Sequence, residues 1–184
     1  MKNQIQRLVD NYASYISVPW RHDIASFQRV VFCIYSPKDE LIIRAQLGEF
    51  EIRTKKSGHR WYSLDLTDCF ANWMSQEKYA ESIFKNPGNL SEEDSYFQKY
   101  LLRQFSDICS TNSVDENTVV CVYGIASLFG LASVNETVQA FASLFSGKLV
   151  VLFPGSYENN VYKVLDAYDG WNYLAVPISS DKSF

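Results

Sequence analysis

The sequence predicts an α/β domain, a mostly parallel sheet with helices on both faces. Three observations carry this expectation. Runs such as TVVCVYG (118–124) and KLVVLFPG (148–155) are short, continuously apolar and rich in β-branched residues, as strands buried on both sides are. Between such runs lie segments whose apolar residues recur at helical spacing. Strands and amphipathic helices thus alternate along most of the chain, an order that calls for parallel strands joined by crossover helices. The 184 residues hold one domain with a full core, 1–184, with no internal repeat or linker.

The elements follow in order. Ile5, Leu8, Val9, Tyr12 and Ile16 share one helical face, and Pro19 closes that helix. RVVFCIYSP (29–37) is the first strand, ended by a proline. DELIIRAQLGEFEIRTKK (39–56) reads as a single helix through Ile43, Leu47 and Phe50, with acids at its start and lysines at its end, as the dipole favours. Gly58 stops it. HRWYSLDL (59–66) is the second strand, followed by a helix with Phe70, Trp73 and Met74 on one face.

Asn86-Pro87-Gly88-Asn89 is a break, and Ser91 with Asp94 resembles a capping box for a helix bearing Phe97, Leu101, Phe105 and Ile108. After the strand at 118–124, Ser133 and Glu136 form a second capping box. It opens a helix with Val134, Val138, Phe141 and Phe145 on one side. The strand at 148–155 comes next. VYKVLDAY and WNYLAVPI then flank Asp169-Gly170, the pair that a two-residue type I′ turn prefers, so a terminal antiparallel hairpin is expected, with a plain strand-loop-strand excursion as the alternative. Pro177 cannot donate to a ladder, which places its strand at a sheet edge.

Composition narrows the function classes. A net charge of −4 and a pI near 5.2 argue against nucleic acid as a direct partner, because phosphate neutralisation calls for a basic face. The basic stretch Arg53, Lys55, Lys56, His59, Arg60 reads as a solvated helix end. Cys33, Cys69, Cys109 and Cys121 include no close pair, so zinc and dithiol redox motifs are absent and four reduced structural cysteines are expected. MKNQIQRLVDNYASYI lacks the apolar core of a signal peptide, and no run approaches the roughly 20 apolar residues of a membrane span. A soluble, cytoplasmic protein that uses no membrane is expected.

No stretch carries a catalytic signature. The loop after the first strand, Tyr35-Ser36-Pro37-Lys38-Asp39-Glu40, has no glycine and two acids where phosphate would sit. Gly147-Lys148 precedes a strand rather than following one, and Lys148 reads as a solvated residue at the strand's start. Gly124 to Gly130 reads as a tight apolar turn. His22 and His59 stand in no triad or ligand spacing. Asp65 is best read as a cap for the next helix. No cofactor, metal or enzymatic activity is expected. Any ligand crevice should lie beyond the carboxyl ends of the strands, at Tyr35, Ser36, Asp65, Tyr123, Gly124, Pro154 and Gly155.

The run LVVLFPGSYENNVYKVLDAYDGWNYLAVPI resembles the C-terminal signature of the BrxB family, a small core component of bacterial BREX phage-defence systems. The FPG turn, Tyr162 ahead of Leu165-Asp166, and Asp169-Gly170-Trp171-Asn172-Tyr173 carry the likeness. VVFCIYSPKDELIIRAQL and VVCVYGIASLFG follow the same family more loosely. Lys163 stands where the family pattern would have arginine. The resemblance implies a degenerate P-loop-like, Rossmann-like domain without nucleotide machinery, and it brings no catalytic residues. It also implies company, since BREX proteins act together. The phosphatase-like PglZ is the first partner expected, alongside an ATPase and a DNA methyltransferase. An adaptor that binds another BREX protein is therefore anticipated, with Trp171, Tyr173, Asn172 and Asp166 as its docking residues. Strand alternation puts Trp171 and Tyr173 on one face, so either both dock a partner or both fill the core. The alternative is an enzyme or a nucleotide or ligand sensor that uses the strand-end crevice.

Overall fold

The computed structural model describes residues 4–21, 23–90, 95–165 and 174–181. The chain runs α1 (Gln4–Ile16), β1 (Val30–Tyr35), α2 (Glu40–Ala45), α3 (Leu47–Lys56), β2 (Arg60–Asp65), α4 (Cys69–Met74) and α5 (Ala80–Lys85). It continues through α6 (Ser95–Thr111), β3 (Thr118–Tyr123), α7 (Val134–Ser143), β4 (Lys148–Glu158), β5 (Val161–Val164) and β6 (Val176–Ile178). Short 3-10 turns precede β1 and follow β1 and β3. The fold is α/β with a mostly parallel sheet, as the alternation of strands and helices predicts.

The strands lie in the order β2-β3-β4-β1-β6, all parallel, with β5 paired antiparallel to the far end of β4. Burial on both sides explains the continuous apolar runs. Val30, Phe32 and Ile34 of β1 face one core while Val31, Cys33 and Tyr35 face the other. The first core is completed by α4, α6 and α7, and the second by α1, α2 and α3. Ring contacts knit both layers. Phe105 of α6 stacks on Phe141 of α7 at 4.3 Å, and Tyr12 of α1 meets Phe50 of α3 at 5.0 Å. The Tyr12 hydroxyl also bonds Thr54 Oγ1 at 2.5 Å, which satisfies two polar groups that burial would otherwise strand.

Helix starts follow local chemistry. Ser133 Oγ accepts from the Glu136 N–H at 3.3 Å and opens α7 as its spacing predicts. The Ser91–Asp94 box lies outside the described residues. The helix expected over 39–56 is two helices that part at Gln46, whose N–H is shared by the Ile42 and Ile43 carbonyls. The halves face different neighbours: Arg44 of α2 reaches the end of β2, whereas Phe50 and Thr54 of α3 meet α1.

The C-terminal pairing differs from expectation. Val161–Val164 pairs antiparallel with Gly155–Glu158, and Val176–Ile178 lies parallel to β1 at the sheet edge. The hairpin turn is Asn159-Asn160, both at positive φ (51° and 64°), as a type I′ turn requires. Asparagine tolerates that region because its short side chain adds little steric cost. The Asp169-Gly170 pair lies outside the described residues. Pro177 does occupy an edge strand, as its missing N–H demands.

Topology also defines a switch point. From β1 the chain crosses by α2 and α3 on one face to the far edge at β2. It then steps back through β3 to β4 with its helices on the opposite face, and β5 stays there, with Tyr162 and Val164 in the same core as α4, α6 and α7. Neighbouring strands β1 and β4 thus send the chain to opposite faces. Their carboxyl ends part, and a crevice opens.

Candidate functional site

That crevice has a volume of about 520 Å³. Tyr35, Ser36 and Lys38 from the exit of β1, Gly155 and Ser156 from β4, and Ser179 beyond β6 form much of its wall. Its chemistry is mainly hydroxylic. Of its charged groups, Lys38 is basic while Glu158 and Asp181 are acidic, so the wall does not converge on a polyanion. Tyr35, Ser36 and Gly155 were legible from the strand ends. Ser156, Ser179 and Asp181 were not, because their place depends on β4 running past its expected end and on β6 lying beside β1.

The other expected crevice residues stand elsewhere. Pro154 is buried opposite Tyr35 in the ladder and does not line the opening. Asp65, Tyr123 and Gly124 sit at the ends of β2 and β3, in a separate polar cluster organised by Arg44. The Arg44 guanidinium bonds Glu40 at 2.7 Å and Thr67 Oγ1 at 2.7 Å, and lies 3.6 Å from Asp65. It also lies over the Tyr123 ring at 5.4 Å. The Tyr35 hydroxyl donates to Glu40, and burial together with that carboxylate pushes its phenol well above the ordinary range, so it stays a donor.

Asp65 serves a turn and not a helix cap. Its carboxylate accepts from the Thr67 N–H at 2.9 Å and from the Thr67 hydroxyl, while α4 starts behind Asp68. Gly124 closes the same corner at φ 72°, where a Cβ would stand 2.6 Å from Thr67 Oγ1 and 2.8 Å from its nitrogen. The two carboxylates here are thus tied to one arginine. Arg44 went unnoticed in the sequence, although Glu40–Arg44 at i,i+4 is a readable pair.

The basic stretch is already neutralised in part. Arg53 faces Asp10 and Glu49, Lys55 pairs with Glu51 at 2.6 Å, and Arg60 pairs with Asp115 at 2.7 Å. His59 bonds Asn117 and stacks on Trp20 at 3.7 Å. Lys148 contradicts its reading as a solvated residue. It is only 7% exposed, because the loop after α1 folds Trp20 over the start of β4. That closure is a long-range contact invisible to local pattern.

The proposed docking residues Asp166, Trp171, Asn172 and Tyr173 lie outside the described residues. Among the described residues, no group of three His, Cys, Asp or Glu side chains gathers to hold a metal ion. No described helix is long and apolar enough to cross a membrane. Comparison of the chain with protein-family models, curated proteins and solved structures finds no match.

Proposed function

We propose that this chain is a non-catalytic member of a cytoplasmic BREX phage-defence system, where it docks on another protein of that system, PglZ foremost. The sequence likeness supplies the system, and one structural observation supports the docking role. The connection from α4 to α6 presents Tyr79 and Phe84 at 74% and 67% exposure. Ile83 and Leu90 attach this connection to the core, so its large rings point outward by construction. Exposed aromatic groups are the usual anchors of protein interfaces, because they bury much area at little entropic cost. The paired state of Glu40 and Asp65 supports the same reading, since it leaves neither carboxylate uncommitted.

The test is capture of the tagged protein from cells that carry the complete BREX gene set. Wild type should retain one defence protein, expected to be PglZ. A Tyr79→Ser/Phe84→Ser variant with an unchanged circular dichroism spectrum should lose it. A Trp171→Ala/Tyr173→Ala variant, run in parallel, asks whether the C-terminal run shares the interface. Failure of wild type to capture any BREX protein would sink the proposal.

A second reading, a small-molecule sensor, rests on the crevice at the switch point. Its hydroxyl-rich wall and mixed charge suit a neutral or zwitterionic polar ligand rather than a nucleotide triphosphate. Adenosine and free amino acids are the first probes. A saturable rise in thermal midpoint that Ser36→Phe abolishes would favour this reading, and no response to either class would remove it.

A further inference from the structure

At the amino end of the sheet, opposite the crevice, Lys148 begins β4 in an unusual setting. Its Nζ donates to the Tyr15 hydroxyl at 3.3 Å and lies 5.1 Å from the centroids of both the Tyr15 and Trp20 rings. No carboxylate among the described residues lies within ion-pair distance of it. The charge that acts on it is a like one, Arg29, whose guanidinium is engaged by the carbonyls of Ile24, Ala142 and Phe145. Burial first, and Arg29 second, push the Lys148 ammonium below its ordinary range. A buried cation without a counter-ion is costly, and a hydroxyl with two ring faces offsets only part of that cost.

Beside this ammonium opens a cavity of about 180 Å³. Val18, Pro19, Trp20 and Ile24 give it apolar walls, with Gln28 and Arg21 also in its lining. The wall is set before any ligand arrives. The Trp20 Nε1–H donates to the Ile16 carbonyl at 3.1 Å, and the indole stacks on His59 with an interplanar angle of 15°. Preorganisation of this kind lowers the entropic cost of binding. The space equals that of about six waters, which admits a small organic acid.

The geometry points to a binding site for a small organic carboxylate, whose acid group pairs with Lys148 and whose apolar part lies along Trp20 and Ile24. A neutral amide of the same shape fills the walls but supplies no charge. Inorganic phosphate supplies charge but leaves the apolar walls facing water. The site lies at the opposite end of the strands from the crevice, and it stands whether or not the BREX reading holds.

Benzoate, benzamide and phosphate, titrated separately into the full chain and followed by thermal unfolding and tryptophan fluorescence, test this. Benzoate should raise the midpoint saturably, while benzamide and phosphate should not. Lys148→Met should fold, because it removes the uncompensated charge and keeps the stem, and it should weaken benzoate by about tenfold or more. Lys148→Gln provides a second neutral variant should the first not fold. An equal response to benzamide or phosphate, no response to benzoate, or a benzoate response that survives either substitution would overturn the assignment.

Discussion

Asp115 shows how a single side chain can be read from both ends. Its carboxyl is held down to about 2 from an ordinary 3.8, first by the Arg60 guanidinium and next by the Thr118 hydroxyl, with the Asn117 N–H assisting. The unfolded chain, with the higher pKa, takes up a proton before the folded one does. The stabilising contribution is therefore complete above about pH 4 and is lost as pH falls toward about 2. Denaturant melts of wild type and Asp115→Asn should differ at neutral pH, and the gap should narrow through that acid window. A gap that stays constant would mean the carboxylate charge contributes nothing. Neither partner was legible as a pair in the sequence, since 55 positions of chain separate Arg60 from Asp115. The Glu40–Arg44 pair was legible in principle, because helix geometry alone brings i and i+4 together.

At the scale of elements, the β4–β5 hairpin explains why Phe153-Pro154-Gly155 and Tyr162 stand together in the sequence. Tyr162 packs edge-on against Phe32 at 4.6 Å and donates its hydroxyl to the Ala175 carbonyl at 3.0 Å. Gly155 permits this approach. A Cβ there would collide with the Lys163 carbonyl and stand 2.9 Å from the Phe153 ring. Backbone cannot rotate aside as a side chain can, so Gly155→Ala should displace β5 and cost about 1–3 kcal/mol. A lowered urea midpoint with new protease cleavage near 159–165 would report it, and an unchanged midpoint would refute the clamp. The sequence reading passed over this turn for a physical reason. Asp-Gly is the stronger type I′ signal, whereas Asn159-Asn160 meets the same dihedral demand less conspicuously.

On the scale of the whole molecule, the thiols report cooperativity. Cys33 and Cys121 lie at the sheet centre, fully buried, and burial pushes both thiols up. Cys109 on α6 is half-buried and raised to about 11 by desolvation. Thiolate is the reactive form, so alkylation at neutral pH should be slow throughout the native protein. In rising urea, modification of Cys33 and Cys121 should track global unfolding, with Cys109 reacting earlier through local opening. Mass spectrometry of quenched samples would resolve the sites. Fast native labelling of either central cysteine would contradict the two-layer core.

Local period or a missing N–H was enough to place the strand segments, the apolar faces of the main helices, the α/β class and the edge position of Pro177. Packing between distant segments set the rest: β1 lies between β4 and β6, β5 folds back on β4, and the switch point opens a crevice there. The same packing brings Arg44 to both Glu40 and Asp65 and closes Trp20 over Lys148. Periodicity states which side of an element is buried. The identity of the neighbour on that side is set by contacts between distant parts of the chain, and local pattern carries no record of them.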